Sequence, residues 1–176
     1  AGRAAFGAPL VEQPLMRAVL ADLALETEAA LASWARLCRS FEAADGTTDA
    51  ALRRLATAVL KYHVCKKAPG VATEAMECMG GNGYVEDGPL ARLYRQAPLN
   101  AIWEGSGNVI CLDVLRTLAV EPASAAALVD ELSATRGADS RYDAHVDRLV
   151  AELRAGRLGA VQRVAAGAER DGHTGH

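Results

Sequence analysis

The chain has 176 residues, 51% apolar but only 5% aromatic, with a formal net charge of −3 at pH 7 and a sequence pI of about 5.8. So alanine-rich an apolar share favours close-packed helices over a sheet, and the acidic balance excludes a chain drawn as a whole to phosphate backbones. No charged-then-apolar leader opens it and no unbroken apolar run approaches the roughly 20 residues that span a bilayer, so a soluble, cytoplasmic protein is expected.

Residues 3–10, Arg-Ala-Ala-Phe-Gly-Ala-Pro-Leu, form a lead-in segment. The first long helix is expected from about Pro14, a favourable first-turn residue, to about Phe41. Leu15, Val19, Leu20, Leu23, Ala30, Leu31, Trp34, Leu37 and Cys38 recur along it at the helical period, and they are expected inward. Ala44-Asp45-Gly46 reads as the closing turn, and Thr48 or Asp49 as the N-cap of the second helix. That helix carries Leu52, Leu55, Ala56, Val59, Leu60, Tyr62, His63, Val71, Ala72, Ala75, Met76 and Met79 on its apolar side and stops at Gly80-Gly81. Pro69-Gly70 inside it predicts a kink or a break, because proline removes a donor and clashes with the previous turn. His63 with Lys66-Lys67 reads more readily as a solvated face than as a phosphate contact. The cysteines, Cys38, Cys65, Cys78 and Cys111, are scattered without metal-ligand spacing and fall in helical patterns, as buried free thiols do; no metal is expected.

Most of the chemistry sits between Glu77 and Arg116. Gly80, Gly81 and Gly83 can take positive φ and leave backbone N–H groups open to a ligand. Glu104 has apolar Ala101-Ile102-Trp103 before it and Gly105-Ser106-Gly107 after it, surroundings expected to desolvate the carboxylate and suit it to proton abstraction. A helix starting near Ser106 brings its positive end to this place. From the residues alone, two readings stand: a cofactor contact beside a general base, or a helix end followed by an exposed glutamate. Between them lie a turn at Asp87-Gly88-Pro89 and a short helix over residues 90–96, whose Arg92 and Arg95 meet either carboxylates or a bound phosphate. The helix over residues 106–119 is expected to bury Val109, Ile110, Val114, Leu115 and Leu118. Further helices follow over residues 123–134 and 141–155, the latter with Val146, Leu149, Val150 and Leu153 inward, after a turn and cap at residues 137–140. A last helical piece, residues 157–169, precedes a frayed tail. Residues 136–170 hold seven arginines against five acidic residues, a weak bias that reads as a solvated surface rather than a nucleic-acid patch.

The order Glu77, Gly80-Gly81-x-Gly83-Tyr84, Asp87, Arg92, then Ile-Trp-Glu-Gly-Ser-Gly-Asn at 102–108, resembles the C-terminal signature of the flavin-dependent acyl-CoA dehydrogenase family. Residues 3–10 resemble that family's Arg-x-x-Phe-Gly-x-Pro-Leu element, and the distances between the elements fit. The resemblance spans residues 3–116. The wording RLYR, WEGSGN and CLDVLR is most similar to the AidB-like, alkylation-response branch, whose members combine a dehydrogenase-like fold with reported DNA binding.

The resemblance implies an all-α fold, an antiparallel helical bundle of the family's C-terminal-domain type over residues 1–120, with additional helices over 121–170 and a tail over 171–176. Because the chain opens without methionine and inside a family element, it is expected to be a piece of a longer protein carrying an N-terminal helical domain and a middle β domain, and to be inactive alone. Glu104 falls on the position of the catalytic base, which takes the α-proton of an acyl-CoA thioester while the β-hydrogen leaves as hydride to FAD. The Glu104 backbone N–H polarises the thioester carbonyl, with Trp103 and Gly105 beside the substrate. FAD contacts are implied for Arg3 at the pyrophosphate across a subunit interface, Phe6 and Leu10 on the adenine side, and Ser106 and Asn108 at the adenosine half. Glu77, Gly80 and Gly81 match a contact to a neighbouring subunit's FAD. Arg92 and Arg95 match a brace of the loop against its own domain. This chain departs from the family pattern at Ala5, which lacks a hydroxyl, at Gln96 in place of an acidic residue, at Asn108 in place of a glutamine, and at Glu77 in place of an amide. The implied partners are an acyl-CoA, an unidentified electron acceptor and further copies of the chain in a dimer or tetramer built through the bundle. DNA is the partner in the alternative, AidB-like reading, and a membrane in neither.

Overall fold

A computed structural model describes residues 3–155. They form two compact units, one from the residues up to Arg36 together with Lys61–Ser106, the other from Leu37–Leu60 and the residues from Gly107 onward. The architecture is the expected all-α bundle, with seven α-helices and one small hairpin among the described residues.

In the first unit, β1 (Ala4–Ala5) pairs antiparallel with β2 (Ala8–Pro9), Ala4 opposite Pro9 and Ala5 opposite Ala8. Phe6 and Gly7 close the hairpin at φ 54° and 83°, the pair of positive values that matches a tight turn to the twist of its strands. Gln13 Nε2 donates to the Ala5 carbonyl at 3.0 Å, anchoring the hairpin to the start of α1 (Pro14–Phe41). The helix has the predicted bounds, but its stripe is only partly covered. Val19, Leu23 and Ala30 are half-buried, whereas Leu15, Leu20, Leu31, Trp34 and, further along, Cys38 are exposed, against expectation. The apolar positions of α1 occupy more of its circumference than its neighbours in the chain cover; periodicity shows which positions are apolar, not which of them are covered.

Helix α2 (Thr48–Cys78) continues through Pro69 as one element, so the expected break does not occur. One lost donor in a helix of 31 residues leaves the hydrogen-bond ladder intact on either side. Its N-cap is Thr47 rather than Thr48 or Asp49: Thr47 Oγ1 accepts from the Ala50 N–H at 3.2 Å. In the first unit α1 and α2 are joined by Lys67 Nζ donating to Glu26 at 2.6 Å, and the exposed His63 and Lys66 lie on a solvated face as anticipated. Val59, Tyr62 and Met79, expected inward, are exposed. After α2 come α3 (Gly81–Tyr84), α4 (Pro89–Gln96) and a 3-10 turn at Ala97–Ala101. Arg95 makes a two-pronged contact to Glu86 at 2.6 and 2.9 Å, the loop brace rather than a phosphate contact.

The second unit holds the larger buried side chains. Leu52 and Leu55 of α2, Ile110 of α5 (Gly107–Val120), Ala127 of α6 (Pro122–Ser133) and Val146 of α7 (Ser140–Arg154) form its core, with Leu55 0% exposed. Val109, expected inward, is exposed, because the turn of α5 that buries Ile110 and Thr117 faces it outward. Arg54 donates through both terminal nitrogens to the Asp113 carboxylate at 3.0 and 2.8 Å. Asp139 caps α7 by accepting from the Arg141 and Tyr142 N–H groups, as its position before a helix implies. All four cysteines are free; Cys38 and Cys111 are exposed and Cys65 and Cys78 half-buried, so none is the buried thiol expected. The helix and tail expected over residues 157–176 lie outside the described residues. Among those described, no helix is long and apolar enough to cross a membrane.

Candidate functional site

The Glu104 loop is built by the 3-10 turn before it. Ile102 and Trp103 N–H groups both donate to the Leu99 carbonyl, at 2.9 and 3.1 Å, and the chain then reverses through Glu104 at φ 56° and Gly105 at φ 106°. A glutamate in that region is strained, since only glycine enters it freely. Among the described residues just one other non-glycine residue has positive φ, Phe6.

What holds the reversal is a lysine that the sequence reading did not single out. Lys61, half-buried on α2, sends its ammonium group to two backbone oxygens, the Trp103 carbonyl at 2.9 Å and the Gly105 carbonyl at 2.8 Å. These carbonyls belong to the residues before and after Glu104. No local pattern marks Lys61, because its partners stand 42 and 44 residues along the chain. The apolar enclosure expected around Glu104 is not supplied here: Glu104 is exposed, and Trp103 is 55% exposed. Ala101, half-buried, is the one member of the preceding apolar run that is substantially covered.

A second cluster lies in the same unit at the end of α2. Gly80 stops the helix at φ 61°, ψ −145°, its N–H donating to the Glu77 carbonyl at 2.9 Å. A Cβ added at Gly80 would lie 2.9 Å from Arg3 Nη1, so the Arg3 guanidinium packs against the bare face of the glycine. Beside it opens a cavity of about 290 Å³ lined by Arg3, Leu10, Val11, Met16, Leu20, Cys78, Met79 and Asn82. Partial burial, reinforced by the charges of Glu74 and Glu77, pushes the Cys78 thiol above its ordinary pKa, which leaves it protonated and unreactive at neutral pH.

The anticipated glycine conformation holds only in part. Gly81 and Gly83 are absent from the positive-φ residues and instead form the short α3. Gly83 is required for closeness: an added Cβ there would collide with the Met76 carbonyl. Of the residues singled out from the sequence, the structure joins Arg3 and Leu10 around one cavity, with Gly80 against Arg3, and Trp103, Glu104 and Gly105 in one clasped loop. Phe6 stands 98% exposed at the hairpin tip. Glu77, Gly81 and Ser106 are exposed in the first unit, and Asn108 is exposed on the first turn of α5, in the second. Among the described residues no cluster of histidine, cysteine and carboxylates is arranged to hold a metal ion.

The family model described as acyl-CoA dehydrogenase, C-terminal domain, matches residues 1–119. The chain is 43% identical over 152 residues to AidB of Escherichia coli (strain K12), covering 86% of this chain and 28% of that protein. It is 34% identical over 108 residues to the mitochondrial short-chain specific acyl-CoA dehydrogenase of Bos taurus, covering 61% of this chain and 24% of that one. The crystal structure of Caenorhabditis elegans ACDH-11 in complex with C11-CoA superposes with a TM-score of 0.73 at 28% identity, over 95% of this chain and 30% of that one. The chain thus spans about a quarter to a third of the length of these relatives.

Proposed function

Since the chain belongs to the acyl-CoA dehydrogenase family, matching its C-terminal domain, we propose that it supplies the carboxylate base and part of the FAD cradle of an enzyme that desaturates an acyl-CoA thioester between its α and β carbons. The observation that carries this reading is Glu104: in the Trp-Glu-Gly-Ser-Gly stretch that resembles the family's base, the glutamate sits in a strained backbone held from both sides by one ammonium group. Strain of this kind persists only where the surroundings enforce it, and it concentrates at functional positions.

In this mechanism the Glu104 carboxylate takes the α-proton and the electron pair of that C–H bond becomes the second bond between the α and β carbons. The Glu104 N–H donates to the thioester carbonyl oxygen, where negative charge gathers as the proton leaves. Trp103 and Gly105 flank the substrate. FAD, when bound, accepts the β-hydrogen as hydride. Arg3, beside the end of α2, suits a pyrophosphate across a subunit interface: its guanidinium lies against Gly80, whose missing side chain leaves room for that cation. Leu10 offers an apolar wall in the same cavity. Phe6, Ser106 and Asn108 extend the contact to the adenine and adenosine parts, while Glu77, Gly80 and Gly81 face the FAD of a neighbouring copy. The exposed Leu15, Leu31 and Trp34 of α1 support assembly into a dimer or tetramer, because isolated apolar residues are ordinary on a surface but such a run along one helix calls for a covering partner. The family domain ends near residue 120, and α6 and α7 form an appended helical segment. The working compartment is the cytoplasm, and a further redox protein takes the electrons.

Glu104→Gln in the complete FAD-loaded polypeptide tests the reading. Anaerobic bleaching of the flavin by a panel of acyl-CoAs is expected to slow by about 10²–10⁴-fold, the range for loss of a general base. Bleaching at the unmodified rate would remove Glu104 from the reaction.

The identity to E. coli AidB favours a second reading, a flavoprotein of the alkylation response that binds DNA and has little dehydrogenase activity. Against it, residues 136–154 carry four arginines and four acidic residues, and Arg136 and Arg141 are paired with Asp147 and Asp139. A flavin that no acyl-CoA bleaches, with duplex DNA binding that weakens steeply as salt rises, would establish this second reading.

A further inference from the structure

We infer that Lys61 is the positioning residue of the desaturation, a step that rests on the reading of Glu104 as base. Its ammonium group holds the 103–104 and 105–106 peptide units, one on either side of the Glu104–Gly105 reversal, and so presents the Glu104 N–H and carboxylate to the thioester.

The geometry follows from the peptide bond. Lys61 Nζ donates to the Trp103 carbonyl at 2.9 Å and to the Gly105 carbonyl at 2.8 Å. Among the described residues no cis peptide bond is present, and in a trans peptide the C=O and the following N–H point in opposite directions. With the Trp103 carbonyl turned to Lys61, the Glu104 N–H must point away from it; with the Gly105 carbonyl likewise engaged, so must the Ser106 N–H. One side chain therefore sets the direction of two backbone donors on the side of the loop opposite α2. The Glu104 N–H is the donor that the mechanism needs at the thioester oxygen.

Among the described residues little else holds this arrangement. Glu104 at φ 56° needs an external restraint to stay there. Packing supplies little of it, because Ile102 and Trp103 are exposed, and the backbone hydrogen bonds of the preceding turn end at the Trp103 N–H. A charged donor on a neutral carbonyl makes a stronger hydrogen bond than a neutral donor does, and the flexible lysine stem places its three donors independently.

Lys61→Met keeps the stem and removes the donors; Lys61→Arg keeps a cation with several donors. In the complete FAD-loaded protein, with the acyl-CoA that bleaches the flavin fastest, Lys61→Met is expected to slow flavin reduction per bound flavin by about 10–100-fold, the scale for a small misplacement of a catalytic group. The dissociation constant for acyl-CoA should stay within about threefold, and Lys61→Arg should recover part of the rate. The primary isotope effect with α-deuterated substrate should rise, since removal of that proton is the disturbed step; a merely structural role leaves it unchanged. Amide exchange over residues 102–107, measured without substrate, should accelerate about tenfold or more while α6 and α7 keep their protection. Unchanged reduction rate and isotope effect in Lys61→Met, or a loss confined to flavin content and melting temperature, would overturn the inference. If Glu104→Gln bleaches normally, the assignment of the base falls instead, and the exchange experiment still decides whether Lys61 holds the loop.

Discussion

Replacing Gly80 by alanine tests the cradle at the end of α2, with Gly81→Ala as its control one residue along. Gly80 has φ 61°, ψ −145°, close to a region that is almost closed to residues with a Cβ and costs about 1–3 kcal/mol where it is forced. The new methyl would also lie 2.9 Å from Arg3 Nη1, but that atom is the tip of a flexible side chain and moves at little cost. The backbone therefore sets the stability loss, about 1–3 kcal/mol, or roughly 2–12 °C in melting temperature for a domain of this size. Displacement of the guanidinium sets a separate loss of FAD affinity in the complete protein, about tenfold or more if one charge-assisted contact is lost. Gly81 has no positive φ and nothing within 4 Å of an added Cβ. Alanine there should be neutral or stabilise by up to about 1 kcal/mol, since glycine in a helix carries an entropic cost. Thermal unfolding followed by circular dichroism and flavin retention on dilution read the two effects independently. Equal stability of the Gly80→Ala and Gly81→Ala variants would refute the backbone reasoning, and a stability loss with unchanged FAD affinity would refute the role of Arg3.

Leu55 is 0% exposed in the core of the second unit, so Leu55→Ala should lower stability by about 2–5 kcal/mol, read as a drop in the urea midpoint. The hydrogen bonds from Arg54 hold the Asp113 carboxyl below its ordinary pKa; burial opposes this, and the charges of Arg54 and Arg116 add to it. A carboxylate with a depressed pKa in the folded state contributes its full stabilisation above the unfolded value, about 3.9, and loses it as pH falls through the folded one. Asp113→Asn should therefore destabilise at pH 7 and the difference should shrink towards pH 3. Because both side chains are about two-fifths exposed, the effect at pH 7 should be about 1 kcal/mol or less; urea unfolding at the two pH values measures it.

The helices were legible because each carries its own punctuation. Pro14, Gly46, Gly80, Pro89, Pro122 and Asp139 mark starts and ends in the sequence, and the structure places boundaries at or beside all of them. Coverage was not legible. Leu15, Leu31 and Trp34 have the same period as Leu23 and Ala30, and nothing local says that a neighbour reaches one set and leaves the other bare. Pro69 pointed to a kink or a break, and the break is absent for a related reason: the rule for proline in a helix is local, while the stability of α2 comes from ladders extending well beyond one turn on either side. The site divides the same way. Gly80 and Glu104 stand out as residue types in a motif, but the contact of Arg3 with Gly80 and the clasp of Lys61 join positions separated by 77 and 42 or more residues, which no spacing rule addresses.

Phe6 and Glu104 are the two non-glycine residues with positive φ among those described, and both were singled out from the sequence for other reasons. Each is followed by a glycine with positive φ, Gly7 and Gly105, so each reversal spans two residues and only its second is free of strain. Their restraints differ in kind. Phe6 sits in a hairpin whose paired strands fix both ends, so its conformation is enforced by β1 and β2 and survives changes elsewhere. Glu104 follows a 3-10 turn and has no paired strand to fix it, and the additional hold is a single side chain from α2. The first arrangement suits a residue whose task is contact. The second suits a residue whose direction matters, because a tether on the neighbouring carbonyls fixes the orientation of the backbone donor while leaving the carboxylate free to rotate. A base that must reach a carbon acid and a donor that must stay on an oxygen make these two demands at one residue, and Lys61 meets the second without hindering the first.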